Sequence, residues 1–302
     1  MSKLKITSPG AVHPATMRSI LITTLSLLMV LGLAVALAGC TPAQAAKNTL
    51  SSSTDFDQRT SQDTENAVTQ KVPEIKTATF AAVGDNLIHL TVYLTHRLAD
   101  GSYNFDDVYA PVAPYIKEVD VAYINQETVC GGSELGLSDY PCFNSPHEIL
   151  DAVDKAGFDW LNTASNHTFD VGEAGILSQL DYLQKLDGLI QTGTQASQED
   201  AETATVIEVN DIKLGLASYT YGLNGFVTPE GKEYLVNLID RDKIKADIEK
   251  LNQLSDVQMV SMHWGTEYSH EPNAEQTELA QFLSDLGVDV IVGAHPHVVE
   301  PT

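Results

Sequence analysis

Seven side chains of metal-ligating type stand out along the chain: Asp85, His89, Glu127, Asn166, His263, His295 and His297. Hard oxygen donors combined with imidazoles are the donor set of a hydrolytic centre for divalent cations, in which one carboxylate can bridge two ions about 3.5–4 Å apart. On that reading Asp85 and His89 serve one ion, Glu127 bridges, and Asn166 offers its amide oxygen to the other. His263, His295 and His297 complete the shells. His167, adjacent to Asn166, is placed to protonate a leaving oxygen, and Asp170 to orient it. Glu267 is a further catalytic candidate, with an exposed carboxylate as the plain alternative. The donor types leave one or two ions open and do not separate Mn, Fe, Zn and Mg.

These residues need rigid supports, and the sequence supplies them in a regular pattern. From residue 77 short runs rich in β-branched residues alternate with helical periodicity, the mark of an α/β layered fold. The spacing predicts strands over 79–83, 119–124, 158–163, 257–262 and 288–292, a hairpin 204–209/212–218 turning at Asn210-Asp211, and helices over 106–117 (interrupted by Pro111 and Pro114), 146–156, 172–186, 240–254 and 274–286. Ser145 and Glu148 have capping-box spacing before the second of these helices. Asp85, Glu127, Asn166, His263 and the His295/His297 pair each fall just beyond the C-terminal end of a predicted strand. In layered α/β folds that edge is where sites assemble.

The same residues lie in five ordered blocks: Gly84-Asp85-Asn86-Leu87-Ile88-His89, Asn125-Gln126-Glu127, Ser165-Asn166-His167-Thr168-Phe169-Asp170 with Gly172 and Gly175, His263-Trp264-Gly265-Thr266-Glu267-Tyr268, and Gly293-Ala294-His295-Pro296-His297. In these blocks residues 77–302 resemble the capsule-synthesis CapA family, also called PgsA-like. The resemblance implies a metallophosphatase-like (calcineurin-like) β-sandwich flanked by helices and a role in poly-γ-glutamate production. It adds Asn125, Trp264, Tyr268 and the Ser218-Tyr219-Thr220-Tyr221-Gly222 stretch as candidates to line a substrate cleft, with core packing the alternative for Trp264 and Tyr268 and ordinary strand-end turn chemistry the alternative for the stretch. Two blocks depart from true metallophosphatases: Asp-x-x-x-His replaces Asp-x-His, and Asn-x-Glu replaces Gly-Asp-x-x-Asp. The chain stops ten residues after the last predicted strand, where this family continues, so a missing C-terminal part is expected.

Function so implied is synthesis, export or anchoring of an anionic capsule polymer at the cell surface. The cleft is either a metal-dependent hydrolase, acting on a phosphoester or an amide bond, or a non-catalytic holder of the polymer or of its synthase complex. The N-terminus fits an extracytoplasmic address. Lys3, Lys5 and Arg18 precede the uncharged run 20–38, which ends in Leu37-Ala38-Gly39-Cys40. That order resembles a bacterial lipobox, implying a signal peptide over 1–39 and a lipid on Cys40 that anchors the protein to the membrane. An uncleaved transmembrane anchor is the alternative, because 19 apolar residues can just span a bilayer. Residues 40–76, poor in large apolar side chains, read as a tether.

Composition narrows the partners. With 43% hydrophobic residues among 302, the chain can bury a full core. The formal charge of -24, from 41 acidic and 17 basic residues, sets the average surface against nucleic acid. It does not exclude an anionic substrate, because bound divalent ions reverse the field of a single cleft. Cys130 and Cys142, separated by eleven residues, are expected to form a disulfide in an oxidising compartment.

Overall fold

Two parallel runs of strands, each backed by helices, explain why so many segments of this chain are apolar on both faces. The computed structural model describes residues 75–301. The expected signal peptide, Cys40 and all but the end of the expected tether lie outside the described residues. The first half contains β1 (Phe80–Asp85), α1 (Leu90–Thr95), α2 (Asp106–Tyr109), α3 (Ala113–Ile116), β2 (Val121–Asn125), α4 (Glu148–Ala156), β3 (Trp160–Asn162), α5 (Gly172–Leu183) and β4 (Ile190–Thr192). Its strands form one parallel sheet in the order β1-β2-β3-β4. The second half contains α6 (Gln198–Ala201), β5 (Thr205–Val209), β6 (Ile212–Thr220), α7 (Arg241–Leu254), β7 (Val257–His263), α8 (Ala274–Asp285) and β8 (Val290–Ala294). Here β5 is antiparallel to β6, and β6, β7 and β8 run parallel.

Alternation along β2 shows how the layers stack. Val121 and Tyr123 point into the space between the sheets, where they pack with Trp160, Ile207, Leu214, Leu216 and Met259. Ala122 and Ile124 point the other way, onto a cluster that includes Tyr109, Ile116, Leu150, Val153 and Leu183. A strand covered on both faces must be apolar throughout, and every residue of β2 is buried. The second sheet repeats the scheme, with Tyr219, Val260 and Met262 meeting Ile244 and Ile248 of α7 and Leu279 and Leu283 of α8. Each such fully buried large side chain contributes about 1.5–3 kcal/mol. Few polar contacts cross between the sheets, among them Tyr123 Oη to Ser261 Oγ at 2.6 Å and Thr192 Oγ1 to Ser218 Oγ.

Local chemistry sets the element ends. Asn210 and Asp211 both take positive φ (51° and 60°), the type I′ geometry that joins the predicted β5–β6 hairpin. The Asp240 side chain caps α7 by accepting from Lys243 N at 2.8 Å. Asn273 and Gln276 form a full capping box on α8.

Some expectations are corrected. The helical stretch 106–117, expected to be interrupted at Pro111 and Pro114, is two single turns, α2 and α3, because each proline lacks the N–H that a continuous helix would use, and Pro114 sits in the first turn of α3 where that donor is not needed. Helix α4 begins at Glu148, not 146. Its N-cap is His147, and Ser145 instead donates its hydroxyl to Thr128 Oγ1 at 3.0 Å. The strand predicted over 288–292 is β8 at 290–294, and β1 extends through Asp85, so Asp85 ends a strand instead of following one. Helix α1, strand β4 and helix α6 were not predicted. The expected disulfide is absent: Cys130 and Cys142 are free. Cys130 is fully buried in the core beneath the first sheet, whereas Cys142 sits partly exposed on the following loop, so the two thiols occupy different environments. Among the described residues no helix is long and apolar enough to cross a membrane.

Candidate metal centre

Parallel register brings the polar ends of the strands into line. Asp85 pairs with Asn125 and Asn125 with Asn162 across the first sheet, while Thr220, His263 and Ala294 align across the second. The contact between β1 and β8 then places the turn after β8 over the end of β1. The backbone N–H of His295 donates to Asp85 Oδ1 at 3.1 Å.

An amide relay fixes Asp85 from below. Asn162 is anchored by Ala164, whose N–H donates to its Oδ1 at 2.8 Å. Its Nδ2 in turn donates to Asn125 Oδ1. That leaves Asn125 Nδ2 to donate to Asp85 Oδ1 at 2.7 Å and to approach His263 Nδ1 at 3.2 Å. From the other side His297 Nδ1 contacts Asp85 Oδ2 at 2.8 Å. Asp85 is thus saturated with donors. Burial alone would raise its carboxyl, but the hydrogen bonds from His297 and from the His295 N–H hold it below the usual range.

Glu127 is the reverse case. It is 1% exposed, and neither carboxylate oxygen has a hydrogen-bond partner among the described residues. Its Oε1 lies 3.7 Å from His297 Nε2 and 3.8 Å from His263 Nε2. Burial first, and the charge of Asp85 second, push the Glu127 carboxyl up to about 8. His295 Nδ1 is likewise buried and unpartnered. Ligand atoms of Glu127, His295 and His297 lie within 4.8 Å of one another. A buried carboxylate and an imidazole nitrogen left without partners are costly unless something satisfies them. A divalent cation would do so, and the donor set fits one.

Asn166 and His263 form the neighbouring edge. Asn166 Oδ1 lies 2.8 Å from His263 Nε2, so a hydrogen bond joins two groups that each carry a lone pair a cation could take. Burial drives the His263 imidazole well below its ordinary range and lowers that of His295, keeping both neutral and fit to ligate. The hydrogen bond to Asp85 raises His297. Beside Asn166, His167 Nδ1 contacts Asp170 Oδ2 at 2.7 Å, and the same oxygen accepts from Phe143 N at 2.6 Å. The imidazole is therefore held through one nitrogen, with its edge packed on Phe143.

Strained backbone surrounds these groups. Six described non-glycine residues have positive φ. Two form the hairpin turn and four lie here: Asn224 (50°), Tyr268 (61°), His295 (96°) and His297 (57°). Gly265 turns the chain after β7 with φ +97°, and a Cβ there would come within 2.7 Å of the Gln276 side chain. The next loop is tied to the histidine turn by Tyr268 N donating to Pro296 O at 2.8 Å. Glu267 on that loop is exposed, and its charge acts on Glu127, His295 and His297. A cleft of about 460 Å³ is bordered by Asp85 and the turn from His295 to Val299. A second cavity, of similar volume, lies between α5, α6 and α7 and includes none of these residues.

Asp85, Asn125, Glu127, Asn166, His167, Asp170, His263, His295 and His297 are thus brought together, with Glu267 and Tyr268 at the rim. Three expected residues are not. His89 Nδ1 pairs with Asp139 Oδ1 at 2.9 Å instead of joining the carboxylate cluster, as the four-residue spacing from Asp85 foreshadows. Tyr219 is fully buried on the outer face of β6, and its hydroxyl donates to Asp247 of α7 at 2.8 Å. Trp264 is buried in the same outer cluster. Tyr221, two residues later, lies over the site: its ring is parallel to His263 and 4.7 Å from the His295 ring centroid. Tyr221 belongs to the stretch the sequence offered for the cleft, whereas Asn162 and Asn224 are site residues that the sequence reading missed.

A sequence profile of the family described as "Bacterial capsule synthesis protein PGA_cap" matches residues 79–302. The chain is similar to the capsule biosynthesis protein CapA of Bacillus anthracis, with 29% identity over 218 residues covering 66% of this chain and 50% of that protein. It is also similar to the PGA biosynthesis protein CapA of Bacillus subtilis (strain 168), with 33% identity over 164 residues covering 51% and 40%. The chain spans about half the length of the curated relatives it matches. Among solved structures, the calcineurin-like phosphoesterase YfkN from Bacillus subtilis aligns with a TM-score of 0.43 and 16% identity, covering 74% of this chain and 73% of that one.

Proposed function

Since the chain belongs to the family of bacterial capsule synthesis proteins whose profile it matches over residues 79–302, we propose that it is a cell-surface lipoprotein with a metal-dependent hydrolytic centre. It acts in the synthesis, export or anchoring of a poly-γ-glutamate-like polymer. The observation that carries the catalytic part is the Glu127 carboxylate, buried with both oxygens unpartnered between His297 and His263. The N-terminal part rests on the Leu37-Ala38-Gly39-Cys40 box, with Cys40 as the lipid attachment point.

In this reading Glu127, His295 and His297 hold a divalent cation, and Asn166 and His263 stand beside them to complete its shell or hold a second. A cation there supplies Lewis acidity toward a phosphoryl or carbonyl oxygen and lowers the pKa of water. The remaining work falls to the chain. Asp85 accepts from His297 Nδ1, which fixes the imidazole with Nε2 toward Glu127. Asp170 holds His167 through Nδ1, so Nε2 is the nitrogen that gives a proton to the leaving oxygen. Tyr221 covers the histidines and limits the approach of water.

Metal analysis of the purified protein, paired with turnover assays on aryl phosphates and on γ-linked glutamate oligomers, tests this. Bound transition metal with hydrolysis of either substrate class is the expected result. Metal without turnover would make the cleft a polymer-holding component of the synthase machinery. A chain that takes up no metal would remove the centre altogether.

A further inference from the structure

The loop after β6 reaches back over the end of the first sheet and places Asn224 against the Asn166-His167 pair. Asn166 Nδ2 donates to Asn224 Oδ1 at 3.2 Å. The other end of the same amide, Asn166 Oδ1, faces His263 Nε2 at 2.8 Å. A carboxamide has two ends of nearly equal size and opposite chemistry: the oxygen can ligate a cation, whereas the NH2 presents two positive hydrogens to it. Which end faces the centre is decided only by the partners of each end.

His263 cannot make that decision once it ligates. A ring nitrogen that gives its lone pair to a cation carries no proton to donate to Asn166 Oδ1. The partner of the Nδ2 end then has to hold the amide, and Asn224 Oδ1 is an acceptor in that place. Its second contact, Nδ2 at 3.3 Å from His167 Nδ1, is the weaker one, because Asp170 lies nearer that nitrogen.

The loop is built to hold this position. Leu223 is buried in a cluster with Phe169, Ile176 and Leu235, which anchors the chain one residue before Asn224. Asn224 then takes φ 50° and Gly225 φ 87°. Asparagine and glycine tolerate that left-handed geometry best, so the position admits a residue with a short acceptor without requiring one for the turn itself.

We propose that Asn224 is a positioning residue of the metal centre, which keeps the Asn166 amide turned with its oxygen toward the cation. This rests on the metal-centre reading above. The test is titration of the full chain with Mn2+ by calorimetry, comparing wild type, Glu127→Gln, Asn224→Gly and Asn224→Asp, with metal-free melts alongside. Asn224→Gly keeps the backbone and deletes the acceptor, and should weaken Mn2+ binding by about 10-fold while leaving the metal-free melt near wild type. Asn224→Asp keeps an acceptor for Asn166 Nδ2, and should bind Mn2+ within about threefold of wild type or more tightly. If Glu127→Gln loses Mn2+ while Asn224→Gly binds as wild type does, the positioning role is wrong and the metal centre stands. Loss in Asn224→Asp equal to that in Asn224→Gly also overturns it. Wild type that takes up no Mn2+ sinks the metal centre, and the positioning role with it.

Discussion

Oδ2 of Asp85 lies 2.8 Å from Nδ1 of His297, and this contact leaves only Nε2 of the imidazole to face Glu127. One carboxylate therefore orients the ring for the other. Replacing Asp85 by Asn removes the charge that raises His297, so the His297 midpoint should fall, and metal affinity should drop by about 10-fold or more. Histidine side-chain NMR across pH, with a metal titration, reads both. An unchanged His297 midpoint would show that the contact carries no such coupling.

The pH dependence of the metal-free protein should carry the signature of Glu127. Its carboxyl is raised from an ordinary 4.5 to about 8, so its contribution to stability is fully present below pH 4.5 and is lost as pH rises through about 8. The integrated loss is on the order of 5 kcal/mol. His263 and His295 act oppositely: both are lowered, and their contribution is lost as pH falls below their ordinary 6.5. Urea unfolding of wild type and Glu127→Gln in chelator, from pH 5 to 9, should give similar stabilities at the acid end, where a protonated Glu127 matches glutamine, and a growing deficit of wild type as pH rises through about 8, which isolates the carboxyl. A pH-independent difference would contradict a buried, proton-carrying Glu127.

His167 and Glu127 should separate by function. His167 touches Asp170 and Phe143 but is absent from the Glu127/His295/His297 donor group. His167→Ala should keep metal content and lose turnover by about 100-fold or more, whereas Glu127→Ala should lose both. Loss of metal in His167→Ala at matched folding would place that residue in the donor set instead.

Two tyrosines two residues apart should give opposite results. Tyr219→Phe deletes a buried donor to Asp247 and should cost about 1.5–3 kcal/mol of stability without touching metal affinity. Tyr221→Ala, at a half-exposed ring over His263 and His295, should leave the melt nearly unchanged and alter metal binding or turnover. Thermal melts and metal titration of the two variants distinguish the faces.

Cys40→Ala should leave an unlipidated precursor, since the Leu-Ala-Gly-Cys box then lacks the thiol that carries the lipid. Labelling cells with a fatty-acid analogue measures this. Equal label on the variant would remove the anchor from the proposal.

The polar end of β2 was legible because burial on both faces makes that strand apolar up to Asn125, so its first polar residue marks the edge; in β7, which carries Gln258 and Ser261, the edge is marked by His263 and the Gly265 turn that follows. The edge could not reveal which way a side chain near it points. Tyr219 belongs to the outward register of β6, between the inward Ser218 and Thr220, while Tyr221 lies beyond the strand and escapes that alternation. Asp85 was legible as a site residue, but its full set of donors depends on a turn 210 positions away. Strand β4 was missed because three residues carry too little periodicity, and its sheet place comes from pairing with β3. The Cys130–Cys142 pairing looked favourable from a short loop and an oxidising compartment, which say nothing of Cys130 being taken into the core.

The hydrogen bond from His295 to Asp85 joins positions 210 residues apart, and the proposed ligand pair Glu127 and His295 spans 168. Closing so long a loop costs conformational entropy that only a docked pair of sheets can offset. The centre is then assembled late during folding, after both halves exist, and a cation has little to hold in the transition state. Metal should accordingly slow the rate of unfolding and leave the rate of folding almost untouched, making the occupied protein long-lived more than fast to form.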